Sequence, residues 1–207
     1  AEDRELADCT AQKTLEAVKS LNGGKQSSWQ YDELKIAVEN MSGGANTVIY
    51  DDVGMPSIVV ALPKQRICDL YESDDTTVHP AWIVDGKIYE TIYVSKYMNF
   101  VKNNRAYSLP MCDPHTYFTF DDANQFCMNK GRGWHLMTNA SWAAIAAWCK
   151  KNGTIPRGNT AMGFSHEKPF EKGVASKMFY HDVQLTKSGS GPVTWTHNHS
   201  ESGICDL

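Results

Sequence analysis

The run from Gly131 to Trp148, GRGWHLMTNASWAAIAAW, constrains the fold more than any other, because it sets a glycine-rich turn, a short strand and a capped helix in immediate succession. Thr138 directly precedes a pattern in which Trp142, Ile145, Ala146 and Cys149 recur at i, i+3, i+4 and i+7. A hydroxyl at that position accepts from the unpaired N–H groups of a first helical turn. The spacing therefore predicts Thr138 as the N-cap and that apolar face as buried. Gly153 is the predicted C-cap, since glycine tolerates the left-handed conformation in which helices commonly end. His135, flanked by Trp134 and Leu136, is predicted to be a hydrogen-bonded structural residue rather than an acid or base.

The same logic extends outward. Thr119 is predicted to cap a helix running to Lys130, with Asp122 at the third position completing an acidic capping box and Ala123, Phe126 and Cys127 on one side. Ile58 to Leu62 is an apolar, β-branched strand bounded by Pro56 and Pro63. Ala81 to Val84 and Ile88 to Val94 are joined across Asp85-Gly86, a strong hairpin signal. His79 precedes a proline and marks a turn. The acidic run from Glu72 to Asp75 lacks the ligand spacing of a calcium loop and is expected to be solvated. Strands, helix, strand and helix in this order predict an α+β fold with two helices against a small antiparallel sheet.

Residues 1–54 differ in character and form a predicted helical N-terminal region. Leu15, Val18 and Leu21 share a face between Glu5 and Leu21, and Leu34, Val38 and Met41 share one between about Trp29 and Met41. Two short amphipathic helices must bury those faces on something. Docking on the chain's own domain and attachment to other subunits both satisfy that need. Beyond Gly158 the chain is rich in Gly and Pro, with Phe164, Phe170, Phe179, Tyr180 and Trp195 spread through it. That tail is predicted to be ordered but irregular.

Composition narrows the function classes. With 42% hydrophobic residues, 21% charged residues and a formal net charge of −4 over 207 residues, the chain has the make-up of a soluble globular protein. No basic stripe favours nucleic acid, and no apolar run approaches the roughly 20 residues needed to span a bilayer. The six cysteines, at 9, 68, 112, 127, 149 and 205, form no CxxC pair. Reduced, buried thiols are expected, with Cys127 and Cys149 on apolar helix faces.

The segment WTHNHS, Trp195 to Ser200, holds the candidate site residues. In an extended backbone over 193–199, His197 and His199 project from one face and are the metal candidates, with Cys205, Asp206 or His181 as a third ligand. Trp195, His197, Asn198 and His199 are the ligand-binding candidates. Solvated or hydrogen-bonded histidines are the commoner outcome of such a pair, and no cofactor is expected. No GxSxG or comparable nucleophile motif is present, so no catalytic residue is assigned.

The Gly131–Asn159 segment, RAYSLP at Arg105–Pro110 and TFDDA at Thr119–Ala123 together resemble the C-type-lectin-like fold of the formylglycine-generating-enzyme superfamily. Within it the chain is most similar to the variable proteins diversified by phage and bacterial retroelements. The resemblance covers roughly residues 55–207 and implies one lectin-like domain there. Gly203-Ile204-Cys205-Asp206-Leu207 is similar to a step that in the superfamily leads into a further tryptophan-rich segment. The resemblance thus implies a domain truncated at its C-terminal end, without the enzymes' cysteine pair and without the diversified ligand-binding region. Ser141, where many relatives carry an acidic residue, and Cys205, where they carry an aromatic, are departures.

The resemblance further implies a non-enzymatic display protein, a phage tail or head-fibre or bacterial-surface component. Its expected partners are a host-cell surface protein or glycan, other virion proteins through residues 1–54, and further copies of itself. A structural virion decoration protein and a formylglycine-generating-type oxidase are the alternatives.

Overall fold

β-branched residues and the two bounding prolines make Pro56–Pro63 (β2) the central strand of a three-stranded antiparallel sheet. The computed structural model describes residues 28–207. Asn46–Tyr50 (β1) lies on one side of β2, with Val48 opposite Ile58. Thr91–Ser95 (β5) lies on the other, with Val94 opposite Val60 and Ile92 opposite Leu62. Side chains two apart share a sheet face, so Ile58, Val60 and Leu62 form one apolar row.

Helix Asn139–Asn152 (α4) packs on the Val60 and Leu62 end of that row. Ile145 and Cys149 join Val60, Val94 and Ile204 in one buried cluster, and Ala144 joins Leu70, Ala81 and Trp82 in the next. The caps are as expected: Thr138 Oγ1 accepts from Ser141 N–H at 3.1 Å, and Gly153 ends the helix at φ 68°. The buried stripe is as expected only in part: Ile145 and Cys149 are buried, Trp142 and Ala146 are not. Ser141, Ala144, Ile145 and Cys149 face inward, whereas Trp142 is 52% exposed and Ala146 is exposed. Ser141 and Ala144 take the inward places expected of Trp142 and Ala146, and the Ser141 hydroxyl is satisfied there by a 3.0 Å contact with that of Thr138. The residues before the helix form a turn and an unpaired connection rather than a strand. His135 is exposed there, with Nδ1 2.6 Å from the Leu136 carbonyl.

Helix Ser28–Met41 (α1) docks on the sheet through Leu34 and Val38, which pack against Val48, Ile58 and Leu109. Met41, expected on that face, is exposed. β1 falls within residues 1–54 yet is paired along its length with β2. The expected helix from Glu5 to Leu21 lies outside the described residues.

Between β2 and β5 the chain makes a short helix, Ile67–Leu70 (α2), and a 3₁₀ turn, Pro80–Trp82, capped by buried His79. The Asp85-Gly86 turn is present, but the hairpin it closes is short: Ile83–Val84 (β3) pairs with Lys87–Ile88 (β4) alone. The rest of the expected strand joins the central sheet as β5. The run Glu72–Asp75 is exposed, as expected for a solvated loop.

Phe100–Lys102 (β6) and Arg105–Tyr107 (β7) form a hairpin over Asn103-Asn104, both with positive φ. The RAYSLP segment is then sutured to the sheet. Tyr107 Oη donates to Asp51 at 2.7 Å, Ser108 Oγ donates to the Ile58 carbonyl at 2.6 Å, and Leu109 is fully buried.

Helix Phe120–Met128 (α3) carries the expected Thr119–Asp122 capping box and buries Cys127. Just past it, buried Lys130 donates to Ser57 Oγ at 2.7 Å and lies over the Trp134 ring at 3.3 Å and the Tyr107 ring at 5.0 Å. Burial draws its ammonium down to about 7.

The molecule is therefore mixed α+β, with four helices and several small antiparallel sheets among the described residues. The tail departs from the irregular chain expected: Ala175–Phe179 (β8) and Asp182–Thr186 (β9) form a hairpin. Its turn is Tyr180-His181, with Tyr180 in the left-handed region at φ 54°. Cys68, Cys112, Cys127, Cys149 and Cys205 are all free thiols, and Cys9 lies outside the described residues.

Candidate functional site

The four residues singled out in the WTHNHS segment do not share a surface. Val193–Trp195 is a 3₁₀ turn followed by further turns, so the extended backbone that would align His197 with His199 is absent. Trp195 is 1% exposed, with its indole N–H donating to Glu171 at 3.2 Å. His197 is buried against Trp148, and its Nδ1 accepts the Ile204 N–H at 2.9 Å. That removes one ring nitrogen from any ligand role, and burial lowers the imidazole to about 4. Asn198 is tied into its own turn by Thr196, Ser200 and Ser202.

Only His199 reaches an accessible cleft. It lies with Ile155, Pro156, Arg157, Thr160, His166 and Glu167 around a space of about 650 Å³. Arg157 is already committed there to Glu171 in a bidentate pair.

None of the supposed third ligands joins the two histidines. Asp206 accepts from Gly189 N–H at 2.6 Å and from Ser188 Oγ at 3.2 Å. Cys205 is sequestered, its thiol pushed up to about 12 by burial. His181 sits at the exposed hairpin turn. Among the described residues no group of three His, Cys, Asp or Glu side chains is placed to hold a metal ion.

What the segment builds instead is a base. Buried Lys96 donates to the Gly203 carbonyl at 3.0 Å and to the Glu201 carbonyl, while Cys205 N–H donates to the Lys96 carbonyl at 2.8 Å. Cys149 Sγ and Thr154 Oγ1 both donate to the His197 carbonyl, at 3.1 and 2.7 Å. Glu171 receives Arg157 and Trp195, and the Arg157 hydrogen bond is the main cause holding its carboxyl below the usual range. A Cβ on Gly191 would overlap the Trp195 ring, so glycine is required at this close approach.

On this base stands a lobe formed by residues 159–191. Gly173 N–H donates to the Gly163 carbonyl at 3.0 Å, and Gly163 packs directly on Val183 of β9. The tail aromatics divide between the two parts. Trp195 is in the base, but Phe170 is 78% exposed, Phe179 63% and Tyr180 85%. Met162, Val174 and Met178 are also exposed. Register shifts flank Lys177, and a bulge breaks the alternation that would have turned Met178 or Phe179 inward. The Phe179 and Tyr180 rings meet edge to face at 4.7 Å.

The lobe also forms one wall of a second cleft, open and about 580 Å³. Leu185 and Lys187 line it on this side, Phe100 and Val101 of β6 on another, and residues 111–116 complete it. Its frame is held by the backbone: Met111 N–H donates to the Ser188 carbonyl, Ser188 N–H to the Cys112 carbonyl, and His115 N–H to the Asn99 carbonyl. Met111 adopts a left-handed φ of 58°, a conformation that a non-glycine residue keeps only when its surroundings enforce it.

Lys187 Nζ lies 2.9 Å from Asp113 Oδ1, and that bond is the main cause lowering the Asp113 carboxyl. His115 stacks on Phe118 at 5.4 Å and meets Phe126 edge-on. These residues come from three separate stretches of chain, and no spacing pattern links them. No protein-family model matches the chain, and no curated protein matches it.

Proposed function

We propose that this chain is a non-enzymatic, lectin-like display protein of the retroelement-variable kind, a receptor-binding component of a phage or bacterial surface. The lobe of residues 159–191 is its contact surface. The supporting observation is the β8–β9 hairpin tip. Two-residue hairpin turns favour Asn or Gly where φ is positive, yet the tip places Tyr180 there and leaves it and Phe179 in solvent. An aromatic held in left-handed backbone costs on the order of 1 kcal/mol, and no burial offsets it. Exposed aromatic and apolar groups close together mark interaction surfaces, and tyrosine is prominent among the residues that anchor them.

The base fits the same reading, because recognition loops work best when carried on a rigid support. The α+β arrangement, with α4 against the three-stranded sheet and α3 against the β6–β7 hairpin, is compatible with the lectin-like resemblance. The test uses fluorescently labelled full chain and a panel of fixed Gram-negative and Gram-positive bacterial cells. Saturable binding to some members, lost in the Phe170→Ser, Phe179→Ser, Tyr180→Ser triple variant, is the expected result. Binding to none, or undiminished binding by the variant, contradicts the proposal.

A further inference from the structure

We infer that the outer edge of β5 is a dimer interface, at which the strand pairs antiparallel with β5 of a second copy of this chain about a twofold axis at Tyr93. Residues 91–95 are no part of the lobe of residues 159–191, so this pairing and the binding of cells stand or fall separately.

The hydrogen-bond phase of the sheet decides which groups β5 presents outward. Lys64 N–H donates to the Glu90 carbonyl at 2.8 Å and Lys96 N–H to the Ile58 carbonyl at 3.0 Å, while Leu62 lies opposite Ile92 and Val60 opposite Val94. In an antiparallel pair, residues that exchange hydrogen bonds alternate with residues that do not. Glu90, Ile92, Val94 and Lys96 therefore turn their peptide groups toward β2. Thr91, Tyr93 and Ser95 turn theirs away from it. Ala61, opposite Tyr93, is in the same phase, since its N–H donates to the Ala45 carbonyl on the far side of β2.

Among the described residues no group bonds to the outward N–H and C=O of Thr91, Tyr93 and Ser95. The other edge of the sheet is closed where it begins: Ser42 Oγ accepts from Asn46 N–H at 2.9 Å and donates to the Asn46 carbonyl at 3.3 Å. Open edges are commonly blunted by Lys, Pro or a bulge. Residues 91–95, TIYVS, hold no charged residue and no proline, and they pair with β2 without a register shift. Tyr93 is 52% exposed, and the hairpin leading into the strand exposes Ile83, Val84, Ile88 and Tyr89. Apolar surface thus adjoins unpaired backbone, and exposed apolar surface of that kind marks a contact region.

The strand's own symmetry selects the occupant. An axis at Tyr93 sets the two Tyr93 residues opposite each other and each Thr91 opposite a Ser95. Every outward N–H then meets an outward C=O, the positive end of one peptide dipole against the negative end of another, and each pair exchanges both bonds. An axis at Ile92 or Val94 would leave Ser95 or Thr91 outside the pairing. Aromatic with aromatic and Thr with Ser are favourable cross-strand neighbours, and no like charges meet. A twofold contact of this kind uses up the edge of both copies, so assembly through it ends at two.

The experiment is sedimentation velocity on the full chain, on Tyr93→Lys, on Tyr93→Glu and on an equimolar mixture of the two variants, with amide hydrogen exchange of the unmodified chain beside it. A strand-to-strand contact is a small interface, so a reversible dimer with a dissociation constant on the order of 100 µM is expected. Each single variant places like charges opposite each other at the axis and weakens the dimer at least about tenfold. The mixture sets Lys against Glu and restores it. The Thr91, Tyr93 and Ser95 amides are expected to exchange more slowly as the unmodified chain is concentrated.

An unmodified chain that stays monomeric up to about 1 mM would overturn the inference. So would a dimer indifferent to both substitutions, which would assemble through another surface. A mixture no stronger than its components would overturn the twofold axis at Tyr93. Slow exchange of these amides in the monomer would overturn the second copy as occupant and assign the edge to residues 1–27 of the same chain.

Discussion

The base around residues 195–207 and the lobe of residues 159–191 invert the usual placement of side chains in opposite ways. The base buries polar groups: Lys96, Thr196 and His197 are each nearly inaccessible, and each has hydrogen-bond partners. The lobe exposes apolar ones: Phe170, Met178, Phe179 and Tyr180 have large accessible areas and no core to enter. Buried polar groups are tolerable when fully satisfied, and they then specify one arrangement of the chain. Exposed apolar groups add little to folding stability, and in the proposed function they are the contact surface. On the proposed reading, stability and recognition fall to adjoining parts of one structure, and substitutions should separate them.

The largest loss is expected at the joint between the two parts. Trp195→Ala empties a fully buried indole site and leaves Glu171 without one donor. Chemical denaturation should show a destabilisation of about 3–5 kcal/mol. A loss below about 1 kcal/mol would mean that the base is not the structural centre described.

His197 gives the next effect, through pH. Its unfolded-state pKa is near 6.5, whereas burial lowers the folded-state value to about 4. As pH falls through 6.5 the unfolded chain takes up a proton that the folded chain refuses. The stability present above pH 6.5 is therefore lost progressively down to about pH 4, by roughly 3 kcal/mol. The slope attributable to this residue should vanish in His197→Gln, and an unchanged slope would show that other groups carry the acid sensitivity.

Lys96→Met keeps the aliphatic stem but removes the donor to the Glu201 and Gly203 carbonyls. Leaving those acceptors without it should cost about 2 kcal/mol, seen as a melting temperature lower by roughly 4–8 °C.

The lobe should behave in the opposite sense. Tyr180→Asn puts a residue that tolerates left-handed backbone into the hairpin turn, and should raise stability by about 0.5–1 kcal/mol while weakening binding to cells. Destabilisation by that change would mean that the tyrosine is held by packing rather than kept for contact.

How much of this was legible in the sequence depended on whether the signal was local. Thr119, Thr138 and Gly153 were readable because capping is decided within a few residues. The β2 strand was readable from its β-branched run between prolines, and the Asp85-Gly86 turn from its dipeptide. The spacing in α4 placed Ile145 and Cys149 inside but also Trp142 and Ala146, which face solvent, because Ser141 enters the core through a hydroxyl contact that residue type does not reveal. The β6–β7 hairpin carries a local cue in Asn103-Asn104, two residues that tolerate the positive φ they adopt. The β8–β9 hairpin carried none, because Tyr180-His181 lacks a turn signature and a bulge breaks the alternation.

The cleft was invisible for a different reason. Asp113, His115 and Lys187 meet only once Ser188 pairs with Met111 and Cys112, a long-range arrangement that no short motif encodes. Conversely, the clustered histidines of WTHNHS looked like chemistry. One of them serves a buried turn, and the other lines a cleft with Arg157, His166 and Glu167.

The most direct test of this division of labour is a paired measurement on the Phe170→Ser, Phe179→Ser, Tyr180→Ser triple variant: its melting temperature, and the binding of the labelled chain to the panel of fixed bacterial cells. The account predicts a melting temperature within about 3 °C of the unmodified chain and binding reduced at least tenfold. Binding retained at full strength, or a melting temperature that collapses with it, would contradict the claim that these aromatics are held outward for recognition.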